Sequence, residues 1–148
     1  MSRPPVRPKI YHITHGKNLR RIIADGCLWS DAEMVARGGP EQSIGMTRVK
    51  DDRLNKSLGA CHPETTVGQY VPFNFCYRSV MLYILHKANH PDITYREGQR
   101  FILHLEADLY EAVAWANGEQ RPWAFTDGNA RTIYSQAYRD LARLDQLT

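Results

Sequence analysis

Tyr11-His12-Ile13-Thr14-His15 sets polar side chains at every second position of an apolar run, Ile10, Tyr11 and Ile13. As a strand over residues 10–14, it points His12 and Thr14 to one face and Tyr11 and Ile13 to the other. A helix-forming segment follows at once, Asn18-Leu19-Arg20-Arg21-Ile22-Ile23-Ala24-Asp25, closed by Gly26. An imidazole and a hydroxyl side by side on a strand that runs into a helix are one way to hold a polar ligand. The other reading is a half-buried strand whose polar residues are satisfied within the protein.

The 148 residues fit one domain, residues 1–148. A chain of that length buries roughly 68–70% of its unfolded surface. Hydrophobic residues make up 43% and charged residues 24%, as in soluble globular proteins. No apolar run approaches a membrane span, and Met1 to Lys9 is basic and proline-rich, unlike a signal peptide. Cys27, Cys61 and Cys76 are widely spaced and odd in number, which argues for reduced thiols and a cytoplasmic setting. The net charge of +3 permits nucleic-acid binding through a local patch without demanding it.

Ser30 or Asp31 is placed to cap a short helix ending near Gly38-Gly39-Pro40, and residues 35–47 read as a glycine-rich polar loop. Residues 49–58 carry an approximate apolar stripe, Val49, Leu54 and Leu58, among charges, and predict a helix. Residues 70–76 have strand composition, but Pro72 cannot donate to a ladder, so an edge or bulge is expected. Ser79 is a cap for a helix over 80–87. Residues 101–105 alternate as an internal strand, 108–115 predict a helical turn, 123–126 a short strand and 133–144 a helix.

This order predicts an α+β domain. No Gly-x-Gly-x-x-Gly or Gly-Lys-Ser loop appears, which disfavours classical dinucleotide and triphosphate folds. His12 and His15 are three apart and Cys61 adjoins His62, but no further pair completes a zinc site, so no metal is expected. Cys27 and Cys76 lie in apolar contexts that raise a thiol pKa, and serine-hydrolase signatures are absent.

Six segments in order carry a resemblance. They are Tyr11-His12-Ile13-Thr14-His15 with Asn18-Leu19, Gly26-x-Leu28, Val49-Lys50-x-x-Arg53, Tyr70-Val71-Pro72-Phe73, Arg78-Ser79-x-Met81-Leu82-Tyr83, and Thr126-Asp127-Gly128-Asn129-Ala130. From about residue 9 to its end, the chain resembles the DarT family, toxins of toxin–antitoxin modules that ADP-ribosylate DNA using NAD. The resemblance implies an ADP-ribosyltransferase-like fold, a split mixed β-sheet flanked by helices. It also implies that His12 and Thr14 hold NAD as a His-x-Thr pair, with Asn18, Leu28 and Arg53 as further NAD contacts. Arg53 maps onto the family's catalytic arginine. Read without the resemblance, Arg53 is a helix-face charge paired with Asp51 or Asp52.

The implied acceptor is a thymidine base in single-stranded DNA, modified on a ring nitrogen, and the implied partner is a macrodomain antitoxin. A cytoplasmic monomer with no membrane contact is expected. Lys50, Arg78, Met81 and Tyr83 are the implied DNA-side residues. Arg48, Lys50, Arg53 and Lys56 form one basic run, and Lys17, Arg20 and Arg21 another. Tyr70, Tyr77, Tyr83 and Trp29 offer stacking faces, although aromatics in a domain this size mostly fill the core.

The family's catalytic glutamate normally lies in a strand beyond the helix expected to end near Leu144, and this sequence stops at Thr148. Glu106 and Asp108 sit in a different setting and read as surface or capping carboxylates. On this basis the fold lacks the strand bearing the glutamate, and weak or absent turnover is expected of the 148 residues alone. The alternatives are transfer of ADP-ribose to RNA or protein, and a non-catalytic fragment that binds nucleic acid or an antitoxin.

Overall fold

The computed structural model describes residues 7–40, 42–44, 47–78, 80–88, 91, 95–128, 130 and 135–147. Strand β1 (Lys9–His15) pairs antiparallel with β2 (Ile102–Asp108), placing His12 opposite Leu105 and Thr14 opposite Leu103. A second pair joins β3 (Phe125–Thr126) to β4 (Ala137–Tyr138), also antiparallel. The expected split of the sheet is therefore present, and the pairing is antiparallel in both parts among the described residues. Helices α1 (Leu19–Asp25), α2 (Asp31–Ala36), α3 (Thr47–Asn55), α4 (Val80–Lys87) and α5 (Leu109–Gly118) flank these strands. No helix among the described residues is long and apolar enough to cross a membrane.

Local chemistry explains most boundaries. Gly26, with φ +71°, ends α1 in the left-handed region, and its N–H reaches the carbonyls of Ile22 and Ile23. The Ser30 hydroxyl accepts from Glu33 N–H and starts α2. Asp108 ends β2 and caps α5 by accepting from Glu111 N–H, so the sheet passes into the helix without a loop.

Two cores lie against β1. Ile10 packs with Leu109, Val113, Phe125 and Leu144, while Ile13 packs with Leu85, Tyr95 and Ile44. The period-2 alternation of the strand sends successive side chains to opposite cores.

Three expectations are corrected. Residues 70–76 form no strand: Asn74 alone bridges β1, exchanging two 2.8 Å backbone bonds with Tyr11. Proline at 72 has no N–H to extend the ladder. The helix expected over 133–144 is replaced, in its described part, by β4 and a 3-10 turn, Leu141–Gln146. Asp127 exchanges bonds with Gln136 that draw this segment into the sheet, and Asp140 then caps the turn at Ala142 N–H. Leu141 and Leu144 are three apart, a spacing that serves a 3-10 turn as well as an α-helix. Lastly, α3 ends at Asn55, before Leu58, where Ser57 bridges Thr66. Ser79 and Asn129 lie outside the described residues, as does the side chain of Met81.

Candidate functional site

His12 and Thr14 share the face of β1 that carries Ile10. The imidazole Nδ1 lies 2.8 Å from the Pro72 carbonyl. A carbonyl only accepts, so Nδ1 carries the proton and the neutral ring presents Nε2 as an acceptor. Burial pushes the His12 pKa below its ordinary value of 6.5, and the Lys50 charge acts in the same direction. The bond to Pro72 and the charge of Asp31 act against them. The balance favours the neutral ring. Phe73 packs beside it, ring centroids 5.6 Å apart.

Thr14 is buried, and its hydroxyl oxygen accepts from the Asn18 amide at 3.1 Å. The same amide donates to the Gln42 carbonyl at 2.8 Å, while Asn18 Oδ1 accepts from Gln42 N–H at 2.9 Å. Asn18 thus clips the loop after α2 to β1. Arg21 reinforces this by donating to the Gly39 carbonyl at 2.8 Å. Ser43, next along the loop, takes a 3.1 Å bond from Lys50 on α3. A route therefore runs by hydrogen bonds and chain from Thr14 through Asn18 and residues 42–43 to Lys50 of α3.

Helix α3 packs on the short turn Val67–Gln69. A Cβ at Gly68 would stand 2.7 Å from a Leu54 methyl and 2.9 Å from the Leu54 Cα, so glycine permits the close approach. At the other end, Lys56 Nζ donates to the Ala130 carbonyl. Arg53 lies three residues after Lys50, on the same side of the helix, and is half-buried. Leu28 is half-buried in the connection between α1 and α2.

The expected DNA-side residues divide. Lys50 is close enough for its charge to be felt at His12. Arg78 instead packs over the Tyr77 ring at 5.6 Å, and Tyr77 meets Tyr11 edge-on at 6.2 Å. Tyr11 points away from His12, so the Tyr77–Arg78 group sits on the other face of β1. Tyr83 is 61% exposed on α4, with Lys87 over its ring. The structure therefore brings together His12, Thr14, Asn18 and Lys50, and sets Arg78 beside Tyr77 on the other face of β1.

Residues that the sequence did not mark as NAD or DNA contacts also border His12 and Asn18. Pro72 supplies the carbonyl that sets the His12 tautomer, Gln42 the loop backbone, and Asp31 a carboxylate whose charge reaches the imidazole. Only the Tyr70-Val71-Pro72-Phe73 motif hinted at the first. His15 has a structural role, accepting from Lys17 N–H at 3.0 Å to cap the turn that carries Asn18. Cys27, Cys61 and Cys76 are unpaired thiols, and burial raises the Cys61 pKa. No group of three or more His, Cys, Asp or Glu suited to a metal occurs among the described residues.

A family model described as "ssDNA thymidine ADP-ribosyltransferase, DarT" matches residues 11–148. A DNA ADP-ribosyl transferase of Thermus sp. (strain 2.9) is 33% identical over 143 residues, covering 97% of this chain and 63% of that protein. The Mycobacterium tuberculosis DNA ADP-ribosyl transferase is 28% identical, covering 91% and 55%. Among solved structures, Thermus sp. 2.9 DarT in complex with ADP-ribosylated ssDNA superposes with a TM-score of 0.83 at 31% identity, over 99% of this chain and 66% of that one. The same protein in complex with NAD+ gives 0.73 at 29% identity, over 97% and 63%. The chain spans less than two-thirds of the length of these relatives.

Proposed function

The chain belongs to the DarT family, and from that premise we propose that it acts in NAD-dependent transfer of ADP-ribose to a thymidine base of single-stranded DNA. NAD supplies the electrophilic ribose carbon: its bond to nicotinamide breaks and nicotinamide leaves neutral, while a bond to a thymine ring nitrogen forms as that nitrogen gives up its proton to solvent. Such a step develops positive charge on the ribose. The residues of this chain bind and orient. His12 Nε2 accepts from a ribose hydroxyl, the Thr14 hydroxyl donates beside it, and Leu28 borders the nucleotide. Lys50 and Arg53 on α3 supply cationic donors for phosphate or a base carbonyl, Arg53 with a planar fork suited to either.

The observation that supports this reading most strongly is the single face of β1 on which a tautomer-fixed imidazole and a hydrogen-bonded threonine meet the field of Lys50. The relatives with NAD+ and with ADP-ribosylated ssDNA bound support the choice of co-substrate and acceptor.

The finer reading is a cytoplasmic, monomeric toxin of a toxin–antitoxin module, opposed by a macrodomain antitoxin. Arg78, Met81 and Tyr83 form an outer DNA contact, and residues 1–148 by themselves turn over weakly. Calorimetric titration with NAD, followed by mass spectrometry of thymidine-containing DNA, RNA and protein incubated in parallel, tests the core proposal. NAD binding with an ADP-ribose adduct confined to the DNA is the expected preference. Saturable binding that His12→Ala leaves unchanged, or adducts on RNA or protein alone, overturns it.

A further inference from the structure

We infer that Asn18 is a positioning residue that fixes the direction of hydrogen bonding at Thr14, so that β1 presents an acceptor–donor pair selective for hydroxyl or carboxamide groups over phosphate. This rests on the reading of His12 and Thr14 as the NAD site. The orientation of the Asn18 carboxamide follows from backbone groups with only one role each. Gln42 N–H donates, and reaches Oδ1 at 2.9 Å; the Gln42 carbonyl accepts, and is reached by Nδ2 at 2.8 Å. Nδ2 is also the atom 3.1 Å from Thr14 Oγ1. An amide nitrogen donates, so Oγ1 accepts there and the hydroxyl proton must be directed elsewhere.

His12 is fixed in the opposite sense. Its Nδ1–H donates to Pro72, which leaves Nε2 an acceptor in the neutral ring. Going up the strand, the shared face therefore offers one acceptor and then one donor, two residues or about 6.6 Å apart. A ribose hydroxyl can both give and take a hydrogen bond, and a carboxamide has one group of each kind. A phosphate oxygen or a carboxylate only accepts, and meets the Nε2 lone pair unfavourably. The strand face thus selects the sugar or the amide of a nucleotide, and leaves its phosphates to the cations of α3.

Both Nδ2 hydrogens of Asn18 and its oxygen are engaged by the protein, and the residue is 9% exposed. On this inference it acts through Thr14 and Gln42, in place of the direct NAD contact expected from the sequence. A carboxylate at position 18 could donate to neither. It would turn the Thr14 hydroxyl toward itself and face the Gln42 carbonyl with a negative charge.

The test is a double-mutant cycle on NAD affinity, measured by calorimetry for the wild-type chain, Asn18→Asp, Thr14→Val and the double variant. Each single change is expected to weaken NAD about tenfold, the scale of one hydrogen bond. The double variant is expected to lose much less than the product of the two. Losses that multiply overturn the inference while leaving the NAD reading intact; a wild-type chain with no NAD affinity overturns that reading and the inference with it. Should Asn18→Asp fail to fold, the wild-type Asn18 side-chain amide is followed by NMR on adding NAD. Unchanged exchange protection supports the positioning role, and release of the amide hydrogens overturns it.

Discussion

His12 donates through Nδ1 to the carbonyl of Pro72, a residue 60 positions away, at 2.8 Å. That bond fixes the tautomer, and burial keeps the ring neutral by pushing its pKa below 6.5. A group whose folded pKa is depressed binds more protons unfolded than folded. Acid therefore removes stability as the pH falls below 6.5 and through the folded value. The Nε2 acceptor is lost only at the acid end of that range, as the pH falls through the folded value. NAD affinity is expected to be level above the folded value and to fall as the pH passes through it. His12→Asn should bind more weakly throughout and with a flatter acid limb, as pH-dependent calorimetry would show.

Arg53 is half-buried on α3, three residues after Lys50. If its fork holds a phosphate or a base carbonyl, Arg53→Ala should weaken NAD binding by about ten- to a hundredfold, the scale of a charge-assisted bond. Arg53→Lys should restore little, because an ammonium cannot make two parallel bonds. Full rescue by lysine would reduce the role of Arg53 to that of a point charge.

Gly68 lets the turn Val67–Gln69 approach Leu54 more closely than any Cβ would allow. Gly68→Ala must push α3 outward, and overpacking of this kind costs about 1–3 kcal/mol. Because α3 carries Lys50 and Arg53, NAD affinity should drop along with the denaturation midpoint. Loss of stability with unchanged NAD affinity would mean that α3 takes no part in the site.

Asp108 accepts from Glu111 N–H and from Arg7 Nε, which together hold its carboxyl below the usual value near 3.8 although burial acts against them. Its contribution to stability is present above that ordinary value and is lost as the pH falls through the depressed one. Asp108→Asn keeps a capping oxygen but not the charge. The melting temperatures of wild type and variant should differ near neutrality and converge in acid; parallel curves would remove Asp108 from the acid response.

Among the described residues Leu85 is the most deeply buried, 1% exposed, in the core beneath Ile13. Leu85→Ala is expected to cost about 2–5 kcal/mol, measured by chemical denaturation.

Local signals in the sequence were enough for β1 and its alternating faces, for the helix closed by Gly26, and for the caps at Ser30 and Asp108. Each depends on residues within four positions of one another. The pairing of His12 with Thr14 on one face was legible for the same reason, because strand periodicity is a local property. Residues 136–146 misled because Leu141 and Leu144 suit two kinds of helix. The choice between them fell to Asp127, which draws Gln136 to β3 from nine residues away.

By itself, then, the sequence determined β1 and most of the helices, the family likeness and the chemical identity of the groups on β1. Only the tertiary structure decided how those groups are used. The carbonyl of Pro72 left His12 Nε2 as an acceptor, and the backbone of Gln42 drew Asn18 into a clip between β1 and the loop after α2. Tyr11 carried Tyr77 and Arg78 to the opposite side of the sheet. These outcomes depend on contacts between residues distant in the chain, and local patterns of hydrophobicity carry no information about which distant carbonyl will meet which ring.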